Sequence, residues 1–220
     1  MLIDLYGNGA SAPCRSVLLT AKTLGVAINM IQTKPMSPDV EKPDFIKMNP
    51  QKTVPTLNDN GLYLNESRAI MQYLCNKYAK NDKYYSKVPN ERAIVDCRLN
   101  FDIGTLYPRF AETYYPVIFF GQPKFDDDKL KRLDDAVEFV ESYLEHGYIA
   151  GSTLSIADIA VVVTLSTMEA FGHNLEKFPK VLDYMARCKK EIAGYEEINQ
   201  KGLDFFVGLA GPALEKARQA

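Results

Sequence analysis

The chain has 220 residues, 46% of them hydrophobic and 25% charged, with no tryptophan. That is enough apolar material for one or two packed domains with a sizeable core. A formal net charge of -2 supplies no general attraction to nucleic acid or to an anionic membrane, so neither is expected as a partner.

The start, Met1-Leu2-Ile3-Asp4-Leu5-Tyr6, has no basic leader region, and no apolar run approaches the roughly 18 residues of a membrane span. Leu2 to Tyr6 alternates in polarity and reads as a first strand. Gly7 to Ala10 is a loop, and Ser11-Ala12-Pro13 opens a helix with a capping serine and an early proline. Val17, Leu18, Ala21 and Leu24 give that helix an apolar face, and Gly25 ends it. Val26 to Ile31 is a second strand. Residues 33–44 contain three prolines and read as a loop, with a helical turn near 45–48. Thr53 to Leu57 and Leu62 to Leu64 form a hairpin closed by Asn58-Asp59-Asn60-Gly61. Ile70, Met71, Leu74, Cys75 and Tyr78 then recur at helical spacing. The order β-α-β-α-β-β-α over residues 1–78 is an α/β, thioredoxin-like arrangement.

Residues 79–88 are polar and read as a linker, and 89–220 as an all-α domain. Pro89-Asn90-Glu91 opens a long pattern through Ile94, Cys97, Phe101, Leu106 and Phe110, which Pro108 and Pro116 should kink or interrupt. Leu130, Leu133, Val137, Val140 and Leu144 mark a second amphipathic helix. Ser155-Ile156-Ala157-Asp158 is a capping-box start to a helix, 156–165, that is apolar on nearly every face and therefore central. Pro179 starts another helix, and 196–209 is a further one.

Two helix starts carry candidate chemistry. At Asn65-Glu66-Ser67-Arg68 the unpaired N–H groups and the positive dipole end suit a carboxylate. Ser67 adds a hydroxyl donor, Arg68 a fork of donors and Glu66 an acceptor for an ammonium group. This junction would hold the charged end of an α-amino acid, or it is a capped helix with a surface ion pair. On pattern alone Ser11 is a helix cap, with a hydroxyl that could also donate a hydrogen bond beside the positive end of the helix dipole.

Rival chemistries fit less well. Ser11 lacks a G-x-S-x-G elbow, and the only histidines, His146 and His173, are expected on surfaces or near helix ends. Gly7-x-Gly9-x-x-Ala12 mimics a dinucleotide fingerprint, but no acidic residue follows about 20 positions on. Ser11-x-x-Cys14 has the register of a redox C-x-x-C, yet serine in the first position removes the attacking thiolate. Cys14 should then point inward as a small apolar residue. Cys14, Cys75, Cys97 and Cys188 show no metal-ligand spacing, so no metal is expected and the thiols should be free in a reducing compartment. Tyr107, Phe110, Tyr114, Tyr115, Phe119 and Phe120 crowd one segment, either as core or as the wall of an apolar site.

Val54-Pro55-Thr56-Leu57 followed by Glu66-Ser67-Arg68-Ala69-Ile70 resembles the glutathione-binding signature of cytosolic glutathione transferases, and the resemblance covers essentially the whole chain. Ser11-Ala12-Pro13-Cys14-Arg15, Asn49-Pro50-Gln51 and the segment from Asn100 to Tyr107 look most like the insect delta class, with the epsilon class next. The resemblance implies a cytoplasmic, homodimeric detoxification enzyme that conjugates its co-substrate glutathione to hydrophobic electrophiles. It implies that Ser11 stabilises the thiolate and that a cis Pro55 turns the main chain of Val54 toward the cysteine of glutathione. Glu66, Ser67 and Arg68 would receive the γ-glutamyl end, with Asp102 reaching across the dimer. Tyr107, Tyr115, Phe119 and the C-terminal helix, including Phe206, would line the electrophile pocket. Two departures stand out. Lys52 occupies a position where the delta class commonly has histidine, and residues 33–44 contain no histidine. The glycine carboxylate must then be held differently, either by Lys52 or, with Lys52 turned to solvent, by water or the loop around Lys34. The alternatives on the same fold are a non-catalytic carrier of hydrophobic ligands and a glutathione-dependent peroxidase or thiol-redox protein.

Overall fold

The computed structural model describes residues 3–219. Leu2, which the alternation counts in the first strand, lies outside the described residues. The first half runs β1 (Ile3–Gly7), α1 (Ala12–Leu24), β2 (Ile28–Gln32), α2 (Pro43–Met48), β3 (Thr56–Asp59), β4 (Leu62–Leu64) and α3 (Ser67–Tyr78). The four strands lie in the order β2-β1-β3-β4. β1 and β2 are parallel, and the other pairs are antiparallel. The thioredoxin-like α/β order expected from the sequence is therefore present.

Boundaries differ where the backbone has other work. β2 begins at Ile28 because Gly25 is left-handed at the end of α1 and the Val26 N–H returns to the Ala21 carbonyl, a helix-ending pattern. β3 begins at Thr56 and continues through Asp59. The hairpin turn narrows to Asn60 and Gly61, whose φ values of 55° and 90° are both positive, as a two-residue type I′ turn needs.

The second half is helical: α4 (Pro89–Phe101), a π-helical segment (Asp102–Leu106), α5 (Tyr107–Phe120), α6 (Asp127–Tyr143), α7 (Ile156–Ala170), α8 (Pro179–Glu191), a second π-helical segment (Tyr195–Gln200) and α9 (Lys201–Arg218). The expected break at the prolines takes a different form. Pro108 follows directly on the π-helical segment, a wider turn at which a residue without an N–H is accommodated, and Pro116 sits inside α5 without ending it. α9 extends well past residue 209 and carries Pro212 internally.

α7 is the central helix. Every residue from Ile156 to Met168 is buried, and Ser155 and Asp158 close a reciprocal capping box at its start. α1 and α3 pack on α7 from the first half, α4 and α8 from the second. One continuous core thus joins Leu5, Leu19 and Ile70 to Val137, Val161 and Tyr184. The stretch 79–88 is irregular but pinned: Tyr85 is buried and donates to Asp96 at 2.8 Å. Among the described residues no helix is long and apolar enough to cross a membrane.

The end of β3 is tied to α3 by one buried carboxylate. Asp59 accepts from Tyr73 at 2.6 Å, Lys77 at 2.7 Å, Asn60 at 2.6 Å and the Tyr78 hydroxyl. Burial alone would raise its pKa, but these donors, Lys77 foremost, hold it well below the usual carboxylate range. A depressed folded-state pKa contributes stability above the unfolded pKa and loses it as pH falls toward the folded one. Asp59→Asn should lower stability by about 1–2 kcal/mol at neutral pH. The gap in melting temperature from wild type should hold above about pH 4 and narrow progressively as pH falls below it, toward the depressed folded-state pKa. Equal melting temperatures at pH 7 would count against the network.

Candidate active site

Ser11 caps α1 from extended backbone and accepts a hydrogen bond from the Cys14 N–H at 3.4 Å. Its own N–H is held by Asn8 Oδ1 at 3.1 Å. The half-buried side chain therefore uses a lone pair inward and keeps its hydroxyl hydrogen to donate. Cys14 is buried as expected, with its pKa raised by burial. Its sulfur lies against Gly7, where an added Cβ would sit 2.5 Å from Sγ, so β1 can pass close to α1 only at a glycine. A residue the sequence reasoning left without a role is Arg15. It is fully buried one turn into α1, and its Nη1 donates to the Ala10 and Gly9 carbonyls, at 2.6 and 3.2 Å.

Beside α1 lies the loop before β3. The Val54–Pro55 peptide is cis, and Asn49 braces the loop by donating to the Thr53 carbonyl at 3.0 Å and to Thr56 Oγ1 at 2.9 Å. Lys52 has a φ of 57°, and its ammonium lies 2.6 Å from Glu41 with both side chains substantially exposed. The positive charge expected to await a carboxylate is thus already paired within the chain.

At the start of α3, Glu66 is the cap residue, with a φ of 66° that is uncommon for a non-glycine residue and an exposed side chain. Ser67 and Arg68 are buried. Arg68 Nη1 donates to Ser67 Oγ at 2.7 Å, Nη2 pairs with Asp102, and Asp102 also accepts from Thr164 Oγ1 at 2.9 Å. Burial brings the Arg68 pKa down to about 10, so it remains a cation at neutral pH. Asp102, expected to reach across a dimer, faces its own chain here. It is fully buried, and both carboxylate oxygens are engaged by its own chain. Arg68 likewise spends its terminal nitrogens inside the fold and stands behind Ser67.

The aromatic candidates form a ladder. Tyr107 and Tyr115 share a hydroxyl–hydroxyl hydrogen bond of 2.9 Å, and burial raises the pKa of both. The Tyr115 ring is 5.2 Å from Phe119, Phe119 stacks 6.3 Å from Phe206, and Phe206 meets Phe171 at 4.8 Å. The Arg68 guanidinium lies 5.9 Å from the Tyr107 ring, which sets the ladder's lower end beside the start of α3. Phe119 is 44% exposed while Phe206 is 6% exposed. Phe119 therefore presents surface, and Phe206 mainly supports it from the core.

His146 is exposed and His173 lies near a helix end, each as expected, but His173 is not at the surface. It is buried just past α7, with Nδ1 3.3 Å from the Tyr114 hydroxyl and Nε2 3.1 Å from Asp134. Burial lowers its pKa. A cavity of about 310 Å³ lined by Tyr114, Phe125, Phe171, His173, Lys177 and Arg218 takes Tyr114 from the aromatic crowd but reaches neither Ser11 nor Ser67. Among the described residues no cluster of His, Cys, Asp and Glu is arranged to hold a metal ion.

Comparisons with known proteins agree on one family. The model of the glutathione S-transferase N-terminal domain matches residues 5–82, and that of the C-terminal domain matches residues 94–191. Glutathione S-transferase D7 of Anopheles gambiae is 43% identical over 215 residues, covering 96% of this chain and 98% of that protein. A delta-class glutathione transferase of Nilaparvata lugens superposes with a TM-score of 0.93 at 45% identity, over 96% of this chain and 99% of the other. An epsilon-class enzyme of Musca domestica superposes with a TM-score of 0.90 at 32% identity, over 96% and 98%.

The buried pair behind Ser67 makes a direct test of the geometry. Arg68 and Asp102 side chains are 7% and 0% exposed, so Asp102→Ala should leave a charge buried without its partner and cost about 3–5 kcal/mol. Replacing both, as Arg68→Met with Asp102→Leu, should recover much of that loss in a denaturant titration. An Asp102→Ala protein as stable as wild type would contradict the pairing.

Proposed function

This chain belongs to the glutathione S-transferase family, in its delta class, and from that premise we propose that Ser11 donates its hydroxyl hydrogen to the thiolate of bound glutathione. The chain takes glutathione as its co-substrate and transfers it to hydrophobic electrophiles. The observation that carries the Ser11 reading is the direction of its cap bond. With Oγ accepting from Cys14 at 3.4 Å, the O–H remains for a ligand at the positive end of a 13-residue helix. A free thiol has a pKa of about 8.5. Lowering it by about two units takes about 2.7 kcal/mol of preferential stabilisation of the anion and makes thiolate the main form at pH 7. The sulfur then attacks the electrophilic carbon, and the leaving group departs with the bonding electrons.

The rest of the site follows from the same donor logic. Ser67 accepts from Arg68 and so has its own hydrogen free for the γ-glutamyl carboxylate, at a helix N-terminus. Exposed Glu66 is the acceptor for the γ-glutamyl ammonium group. Arg68 and Asp102 hold Ser67 in place from behind. The cis Val54–Pro55 bond directs the Val54 main chain to the cysteinyl part. Lys52, paired with Glu41, gives the glycine carboxylate only a weak, salt-screened contact. Tyr107, Tyr115 and Phe119 form the electrophile wall, with Phe206 behind Phe119.

We place the domain boundary in the stretch 79–88, between a glutathione-binding unit, 1–78, and a helical unit, 89–220. Dimerisation is supported by large apolar side chains left over two-fifths exposed on β4 and α4, Leu62, Tyr63 and Ile94. A cytoplasmic location agrees with four unpaired cysteines.

Two experiments test this reading. Ser11→Ala should raise the kinetic pKa of bound glutathione and lower kcat at pH 6.5–7, with glutathione affinity nearly unchanged. The loss should be roughly tenfold for each pH unit by which the thiol's pKa rises. An unaltered pH–rate profile would remove Ser11 from the mechanism. Tyr115→Ala and Phe119→Ala should reorder a panel of electrophiles by kcat/KM while leaving retention on immobilised glutathione intact. Variants that only melt earlier, with the ranking kept, would assign these aromatics to the core.

A further inference from the structure

Arg15 is the largest fully buried side chain among the described residues, and the mechanism above does not use it. Its Nη1 holds the Gly9 and Ala10 carbonyls of the loop that delivers Ser11. Its other donors reach the second half of the chain. Nε donates to Asn199 Oδ1 at 2.9 Å and Nη2 to Thr167 Oγ1 at 2.7 Å. Asn199, in the π-helical segment before α9, is fixed in turn by donating to Ser166 Oγ at 3.0 Å. One turn further on, Gly202 has no room for a side chain. A Cβ there would lie 2.3 Å from the Gly9 carbonyl oxygen and 2.6 Å from Arg15 Cδ. The first turn of α9 is therefore seated directly on the Ser11 loop. A buried charge is tolerated only when its donors are met, and here meeting them fixes three separate pieces of chain.

We infer that Arg15 is a positioning residue for the transferase reaction, holding the Gly9–Ala10 loop against Asn199, Thr167 and Gly202 so that the Ser11 hydroxyl faces the glutathione sulfur. This rests on the Ser11 reading. The segment leading into α9 thereby sets the strength of a hydrogen bond made at the other end of the sequence. The titratable groups around Arg15 are Tyr107 and Tyr115 of α5, Tyr195 of the π-helical segment and Cys14 of α1. Burial outweighs their effect and leaves Arg15 with a pKa of about 10, so it stays cationic while the thiol titrates.

The test uses full-length Asn199→Ala, Thr167→Val and Gly202→Ala, none of which alters a group proposed to touch glutathione. Each is made alone and in the Ser11→Ala background, with folding checked by thermal melts. The readouts are the pH midpoint of thiolate absorbance in the glutathione-saturated enzyme and the Kd for glutathione. Folded single variants should raise the midpoint by about half to one pH unit with Kd within about twofold. In the Ser11→Ala background the same changes should add nothing, because the effect passes through Ser11. Midpoints unmoved in the single variants overturn the inference and leave the Ser11 reading intact. Increases that persist in the Ser11→Ala background also overturn it. A midpoint unmoved by Ser11→Ala itself overturns the Ser11 reading, and this inference with it.

Discussion

Two buried arginines from the first half of the chain cannot be left without partners, and the second half is built to meet them. Arg15 of α1 is met by Asn199 and Thr167, and Arg68 of α3 by Asp102, which Thr164 holds. Thr164 and Thr167 stand about one turn apart on α7, the buried helix at the centre of the core. Asp102 and Asn199 both lie in π-helical segments, where the wider turn re-aims side chains relative to a regular helix. The two starts of α1 and α3, where backbone N–H groups gather, are thus oriented by side chains that belong to the helical half. An unpaired cation in such surroundings would cost more than the contacts around it return.

This arrangement separates two kinds of surface. The sheet half presents donors: Ser11, Ser67 and the N–H groups of two helix starts, each hydroxyl already accepting a bond and so left with a hydrogen to donate. The helical half presents the aromatic ladder Tyr107, Tyr115 and Phe119, backed by Phe206 and Phe171. Arg68 lies where the two meet, bonded to Ser67 on one side and beneath Tyr107 on the other. Donor-rich and apolar surfaces therefore meet at Arg68 without being mixed.

Much of this was legible in the residues. Period-2 and period-3.6 patterns marked the strands and helices, Asn58-Asp59-Asn60-Gly61 marked the hairpin, and Ser155 with Asp158 marked the start of the central helix. Motifs around Ser11, Pro55 and Ser67 pointed to the family. Less legible were features with no local signal. A π-helical segment reads as ordinary helix, so 89–110 looked like one pattern disturbed only by its prolines. The burial of His173 left no mark near it, because its partners, Tyr114 and Asp134, come from other helices. Lys52 looked free because Glu41 is 11 residues away in an irregular loop.

The sequence by itself determined the order of elements, the family and the identity of the donors, because hydrophobic period, turn chemistry and helix caps are properties of neighbouring residues. Only the tertiary structure decided how those donors are used. It spent Arg68 and Asp102 on each other, tied Lys52 to Glu41, moved Phe206 from wall to support and set Arg15 between the Ser11 loop and the segment before α9. Each of these outcomes depends on which distant group is close enough to satisfy a charge or fill a void, and no spacing along the chain encodes that distance.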